Sequence, residues 1–80
     1  MKLPRDVNGT QLVRALRRIG YEAVRQKGSH VIVQTAAPNV HSVTVPNHRP
    51  VRVGTLKSII DDIAERRQMT PEDLIELLEL

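Results

Sequence analysis

Residues 27 to 30 read Lys-Gly-Ser-His, inside the longer run "YEAVRQKGSHVIVQT" that extends from residue 21 to residue 35. A two-residue loop led by glycine, between stretches rich in β-branched residues, predicts a hairpin with a type II′ turn and strands at 21–27 and 30–35. So short a loop leaves the pairing little freedom. Lys27 is expected opposite His30, Gln26 opposite Val31, Arg25 opposite Ile32 and Val24 opposite Val33, and opposed residues share a face of the sheet. Val24, Val31 and Val33 then face a core, while Arg25, Lys27, His30, Ile32 and Gln34 face the other way.

The rest of the chain supplies what the hairpin must pack against. Asn8 followed by Gln11 has the spacing of a capping box, and Leu12, Leu16 and Ile19 recur at helical intervals, which predicts a first helix over 9–19 with Gly20 as its left-handed stop. Arg14, Arg17 and Arg18 lie off that apolar stripe and are expected to solvate its outer face. "HSVTVP" at 41–46 reads as a third strand with Val43 and Val45 inward, halted by Pro46. A second helix is expected from about Gly54-Thr55, carrying Leu56, Ile59, Ile60 and Ile63. A short third one is expected after Thr70, with Pro71 at its first position, Asp73 completing the cap and Leu74, Leu77 and Leu78 as its apolar side.

The order α-β-β-β-α followed by a short α implies an α+β domain: a three-stranded antiparallel sheet with helices on one face and the other face open. The chain of 80 residues is expected to be a single domain, 1–80, with a core at 8–67 and an added C-terminal helix at 70–80. With no cysteine, phenylalanine or tryptophan, that core rests on 8 Leu, 6 Ile and 10 Val, joined by Tyr21 as the only aromatic residue. Neither disulfides nor a thiolate metal site can supplement it. No apolar run has the length of a membrane span and the first residues lack a signal-peptide pattern, so a cytoplasmic protein is expected.

Charge is unevenly spread. Residues 1–52 hold nine Lys and Arg against two acids, a net +7, whereas residues 53–80 hold three against seven, a net −4. A basic body suits a polyanion such as nucleic acid. Its most reactive residue is His30, because an imidazole titrates near neutrality and serves as general base or general acid, and Lys27 and Arg25 on the same face would hold a phosphate. Ser29 forms no nucleophilic pair with His30, since successive strand residues point to opposite sides; its place is in the turn. His48, Arg49 and Arg52 lead to the start of the second helix, whose exposed amides suit an anion. His41 has no charged neighbour within two residues and is read as structural. The histidine spacings match no metal site and the glycines form no phosphate-cradling loop, so neither metal nor cofactor is expected.

The segments "LVRALRRIGYEAVRQKGSHVIV", "VTVPNH" and "VGTLKSIIDDI", in that order, resemble the HicA family of toxins from bacterial and archaeal toxin–antitoxin pairs over about residues 8–65. The resemblance implies a fold similar to double-stranded-RNA-binding domains and a ribosome-independent mRNA endonuclease activity. It also implies a HicB-type antitoxin partner that covers the active face. In the family the histidine of the Gly-Ser-His turn is catalytic, which maps onto His30, with Gly28 and Ser29 completing the motif. Together with the charge pattern, this gives His30 as the catalytic residue and Arg25, Lys27, Gly28, Ser29, His48, Arg49 and Arg52 as the RNA-contacting set. Two other functions fit the same residues: a non-catalytic RNA-binding module using this basic face, and a protein-interaction subunit docking through the open sheet.

Overall fold

A computed structural model describes residues 3–37 and 39–80. The elements follow the expected order: α1 (Gly9–Arg17), β1 (Glu22–Lys27), β2 (His30–Thr35), β3 (His41–Pro46), α2 (Val53–Arg66) and α3 (Pro71–Leu78). The strands form one antiparallel sheet in the order β1-β2-β3. Gly28 takes φ 59° while Ser29 stays out of the positive region, the pattern of a type II′ turn, and that turn needs a residue without a Cβ at its first position.

The pairing expected from the turn holds for its first three rungs, Lys27 with His30, Gln26 with Val31 and Arg25 with Ile32. It then breaks. Val33 pairs with Ala23, and Val24 is a bulged residue, 56% exposed, not the inward-facing partner of Val33 that a straight ladder requires. Strict alternation from Arg25 would have put Tyr21 on the open face. The extra residue shifts the phase, so that Tyr21 turns inward and is buried to 1% exposure. Burying the one large aromatic side chain outweighs exposing a valine, because a Tyr ring removes far more apolar area from water.

Val33 and Val45 from the sheet, Leu12 and Leu16 from α1, and Leu56, Ile60 and Ile63 from α2 are all but fully buried in one cluster. Leu74 and Leu78 of α3 belong to the same cluster. Leu77 does not; it is 48% exposed. On a helix turning about 100° per residue, Leu74, Leu78 and Ile75 share one arc and Leu77 stands about 60° outside it.

Caps and side chains close the layers. Gln11 Oε1 accepts from the Asn8 N–H at 3.3 Å, and Thr70 Oγ1 accepts from the Asp73 N–H at 3.1 Å. α1 ends at Arg17, two residues before its expected end, and closes through a tighter turn in which Ile19 and Gly20 donate to Leu16 and Arg17, with Gly20 at φ 102°. Arg18 does more than solvate: its guanidinium donates to the Leu78 carbonyl at the end of α3, and Arg67 donates to the Ile19 carbonyl. These bonds join the ends of α1, α2 and α3, satisfying carbonyls that the helices leave free.

Candidate active site

The open face is organised in rows set by the ladder. The row nearest the turn is Lys27, His30 and Pro46; the next is Arg25, Ile32 and Thr44; the third is Glu22, Gln34 and Ser42. Lys27, His30 and Arg25 are exposed, and Ile32 is half-buried between its neighbours. Two cations and an imidazole therefore leave one side of the sheet within two rungs of each other, as the hairpin pattern implies. The position of Pro46 follows from its chemistry. Lacking an N–H, it cannot exchange hydrogen bonds with His30, so the two form a non-hydrogen-bonded pair, the kind in which side chains stand closest. The bonds lie to either side, one of them from the Asn47 N–H to the Ser29 carbonyl at 2.6 Å.

Asn47 extends the ladder past the end of β3 and locks the turn to α1. Its Oδ1 accepts from the Thr10 hydroxyl at 3.1 Å, and the next carbonyl, that of His48, accepts from the Gly9 N–H at 3.0 Å. Gly9 makes this approach possible: a Cβ there would collide with the Pro46 carbonyl oxygen and stand 2.6 Å from the Asn47 Cα. Farther along, the Val51 N–H donates to Val7 at 2.8 Å, and the chain enters α2. His48, Arg49 and Arg52 are exposed on this segment, and their side chains make no hydrogen bond or ion pair among the described residues. Arg52 is the N-cap of α2 and provides no side-chain cap, so the first amides of that helix lack one. The sheet thus unites Arg25, Lys27 and His30 with Gly28 and Ser29 of the turn. His48, Arg49 and Arg52 follow on the segment beyond the end of β3, exposed and joined to the row by no side-chain hydrogen bond or ion pair among the described residues.

At the other end of the sheet lies a group that sequence neighbours do not reveal. His41 is buried, its Nδ1 is 2.7 Å from the Tyr21 hydroxyl, and its Nε2 is 3.1 Å from Asp62 Oδ2 on α2. A carboxylate only accepts, so Nε2–H donates to Asp62, while the Tyr21 hydroxyl is the hydrogen-bond partner of Nδ1. Asp62 lies 21 residues from His41, beyond any local motif. The i,i+3 and i,i+4 spacing of Asp62 from the buried Ile59 and from Arg66 on α2 is the only sequence signal that could have placed it near the sheet.

Burial raises the Tyr21 hydroxyl above its ordinary pKa of 10.0, and the negative charge of Asp62 adds to this against the opposing pull of Arg67 and Arg66. Because the folded chain holds this proton more tightly than the unfolded chain, the resulting stability is complete below about pH 10. It is lost as pH rises through the folded value. Urea midpoints measured from pH 8 to pH 11 should therefore fall more steeply for the wild type than for Tyr21→Phe; equal slopes would contradict this account.

A protein-family model described as HicA toxin of bacterial toxin–antitoxin matches residues 9–64, which span α1, the sheet and nearly all of α2. No curated protein and no solved structure matches the chain. Among the described residues, no helix is long and apolar enough to cross a membrane.

Proposed function

The chain belongs to the HicA toxin family of toxin–antitoxin systems, and on that premise we propose that it is an endoribonuclease that cuts mRNA without the ribosome. The observation that carries the reading is the row of Lys27, His30 and Pro46 with Arg25 one rung away, an exposed imidazole flanked by cations on an otherwise open sheet face. His30 is the catalytic residue. It takes the proton of a ribose 2′-hydroxyl as that oxygen attacks the adjacent phosphorus. Lys27 and Arg25 offset the charge that develops on the non-bridging phosphate oxygens. Gly28 and Ser29 let the RNA backbone approach the turn, and Arg49 and Arg52 add phosphate contacts that position the strand without reading its bases.

Residues 1–80 act as one HicA-like domain, in the cytoplasm where mRNA is found. The open face is also where an antitoxin of HicB type neutralises the toxin, since covering His30 excludes RNA. A purified chain incubated with a transcript in the absence of ribosomes is expected to yield discrete fragments, at a rate that falls as salt weakens the phosphate contacts. Intact RNA that is nonetheless bound in a salt-sensitive manner would replace the enzyme with a binding module on the same face.

A further inference from the structure

We propose that His48 is the general acid of the reaction, the group that gives a proton to the departing 5′-oxygen; this rests on the RNA-cleaving function proposed above. Attack by the 2′-oxygen moves two protons, one off the nucleophile and one onto the leaving group. A single imidazole at His30 handles the first. The second calls for another group that titrates near neutrality on the same side of the sheet, since a lysine ammonium is a poorer donor at neutral pH than an imidazolium.

The backbone places His48 for this role. His30 faces Pro46 across a non-hydrogen-bonded pair, with Cα atoms about 4.5 Å apart. The Asn47 N–H to Ser29 carbonyl bond carries the ladder one residue further. Asn47 turns its side chain to the helical layer, where Oδ1 meets Thr10. Continued past the end of β3 at Pro46, strand alternation would set the next residue, His48, on the side of His30. In a ladder continued to His48, diagonal positions would have Cα atoms about 7 to 8 Å apart, close enough for two imidazoles to flank one phosphate between them. The carbonyl of His48 is pinned by the Gly9 N–H at 3.0 Å, while its ring is exposed with no partner among the described residues. A fixed backbone under a free ring is what a proton donor to an incoming substrate requires.

In the balanced step, His30 accepts the 2′-hydroxyl proton, the O2′–P bond forms and the P–O5′ bond breaks. The departing oxygen takes its proton from protonated His48, leaving a 2′,3′-cyclic phosphate and a 5′-hydroxyl. The test compares an ordinary oligoribonucleotide with one in which sulfur replaces the bridging 5′-oxygen, because a thiolate leaves without needing a proton. His48→Ala is expected to cut the ordinary substrate about 10²-fold more slowly than wild type, yet to cut the sulfur-bridged one within a few-fold of it. His30→Ala is expected to be slow on both. Equal losses on the two substrates for His48→Ala would reduce His48 to a binding residue, and no loss on the ordinary one would remove it from the reaction; either overturns the proposal. A wild-type chain that cuts neither substrate overturns the RNA-cleaving function itself, and the His48 assignment with it.

Discussion

Alanine at position 30 is expected to lower the proposed RNA cleavage by about 10²- to 10⁴-fold, the range that one positioned acid–base group contributes. The same substitution should leave folding almost untouched. The His30 side chain is exposed and makes no hydrogen bond among the described residues, and the first rung of a hairpin is held by its backbone and turn. Surface changes of this kind stay within about 0.5 kcal/mol, which for a domain of this size moves the melting temperature by no more than about 4 °C. Lys27→Ala, on the cross-strand neighbour, removes a charge and no proton carrier. Its loss should be smaller than that of His30→Ala and should shrink as salt is raised, because what it removes is a screened phosphate contact. Initial rates on one transcript at two salt concentrations, with melting curves alongside, separate the two roles. A His30→Ala chain that melts as the wild type does and still cuts at the wild-type rate would take catalysis away from this histidine.

The contrast between what the sequence encodes locally and what it does not is sharpest along β1. Close to the turn, Gly28 and Ser29 dictate the geometry, and a two-residue loop transmits its register for three rungs, which is why Arg25, Lys27 and His30 are legible as one group. Four residues from the turn the ladder answers to a different demand. Tyr21 must reach the interior, and the bulge at Val24 is the adjustment that lets it. Nothing in the local pattern marks Val24 as the residue to be expelled, since a valine is an ordinary inward strand residue. The same limit applies to His41. Its partners come from the residue just before β1 and from α2, and only the packed layers bring Tyr21 and Asp62 to its two ring nitrogens. Arg18 shows the converse: an arginine off the apolar stripe reads as a solvated charge until α3 arrives with an unpaired carbonyl at Leu78. Periodicity places helices and strands, and motif resemblance supplies the family, but the polar contacts between layers depend on tertiary placement.

Gly9→Ala should lower the melting temperature by about 10 °C, against the usual trend for such a change in a helix. Elsewhere in a helix, replacing glycine by alanine gains up to about 1 kcal/mol, because the unfolded chain has less freedom to lose. At the start of α1 that gain meets an obstacle made of backbone. The new methyl would lie against the Pro46 carbonyl oxygen and 2.6 Å from the Asn47 Cα, neither of which can rotate aside. Overpacking of this kind costs about 1 to 3 kcal/mol, and with main chain as the neighbour the upper end applies, leaving a net loss of about 2 kcal/mol. For a domain of this size each 1 kcal/mol is worth about 4 to 8 °C. The displacement also falls on the site. Moving the 46–48 segment away from α1 strains the Gly9 to His48 and Asn47 to Ser29 hydrogen bonds, which tie the end of β3 to the turn that carries His30. Misplacing a reacting group by about 1 Å can reduce a rate 10²-fold, so cleavage should fall at temperatures where the variant is still fully folded, with His30 and Lys27 chemically intact. Melting curves, rates at 15 °C and the amide resonances of Ser29, Asn47 and His48 measure the three effects together. A variant as stable as the wild type, with those resonances unmoved, would show that α1 does not hold the loop in the way its close approach implies.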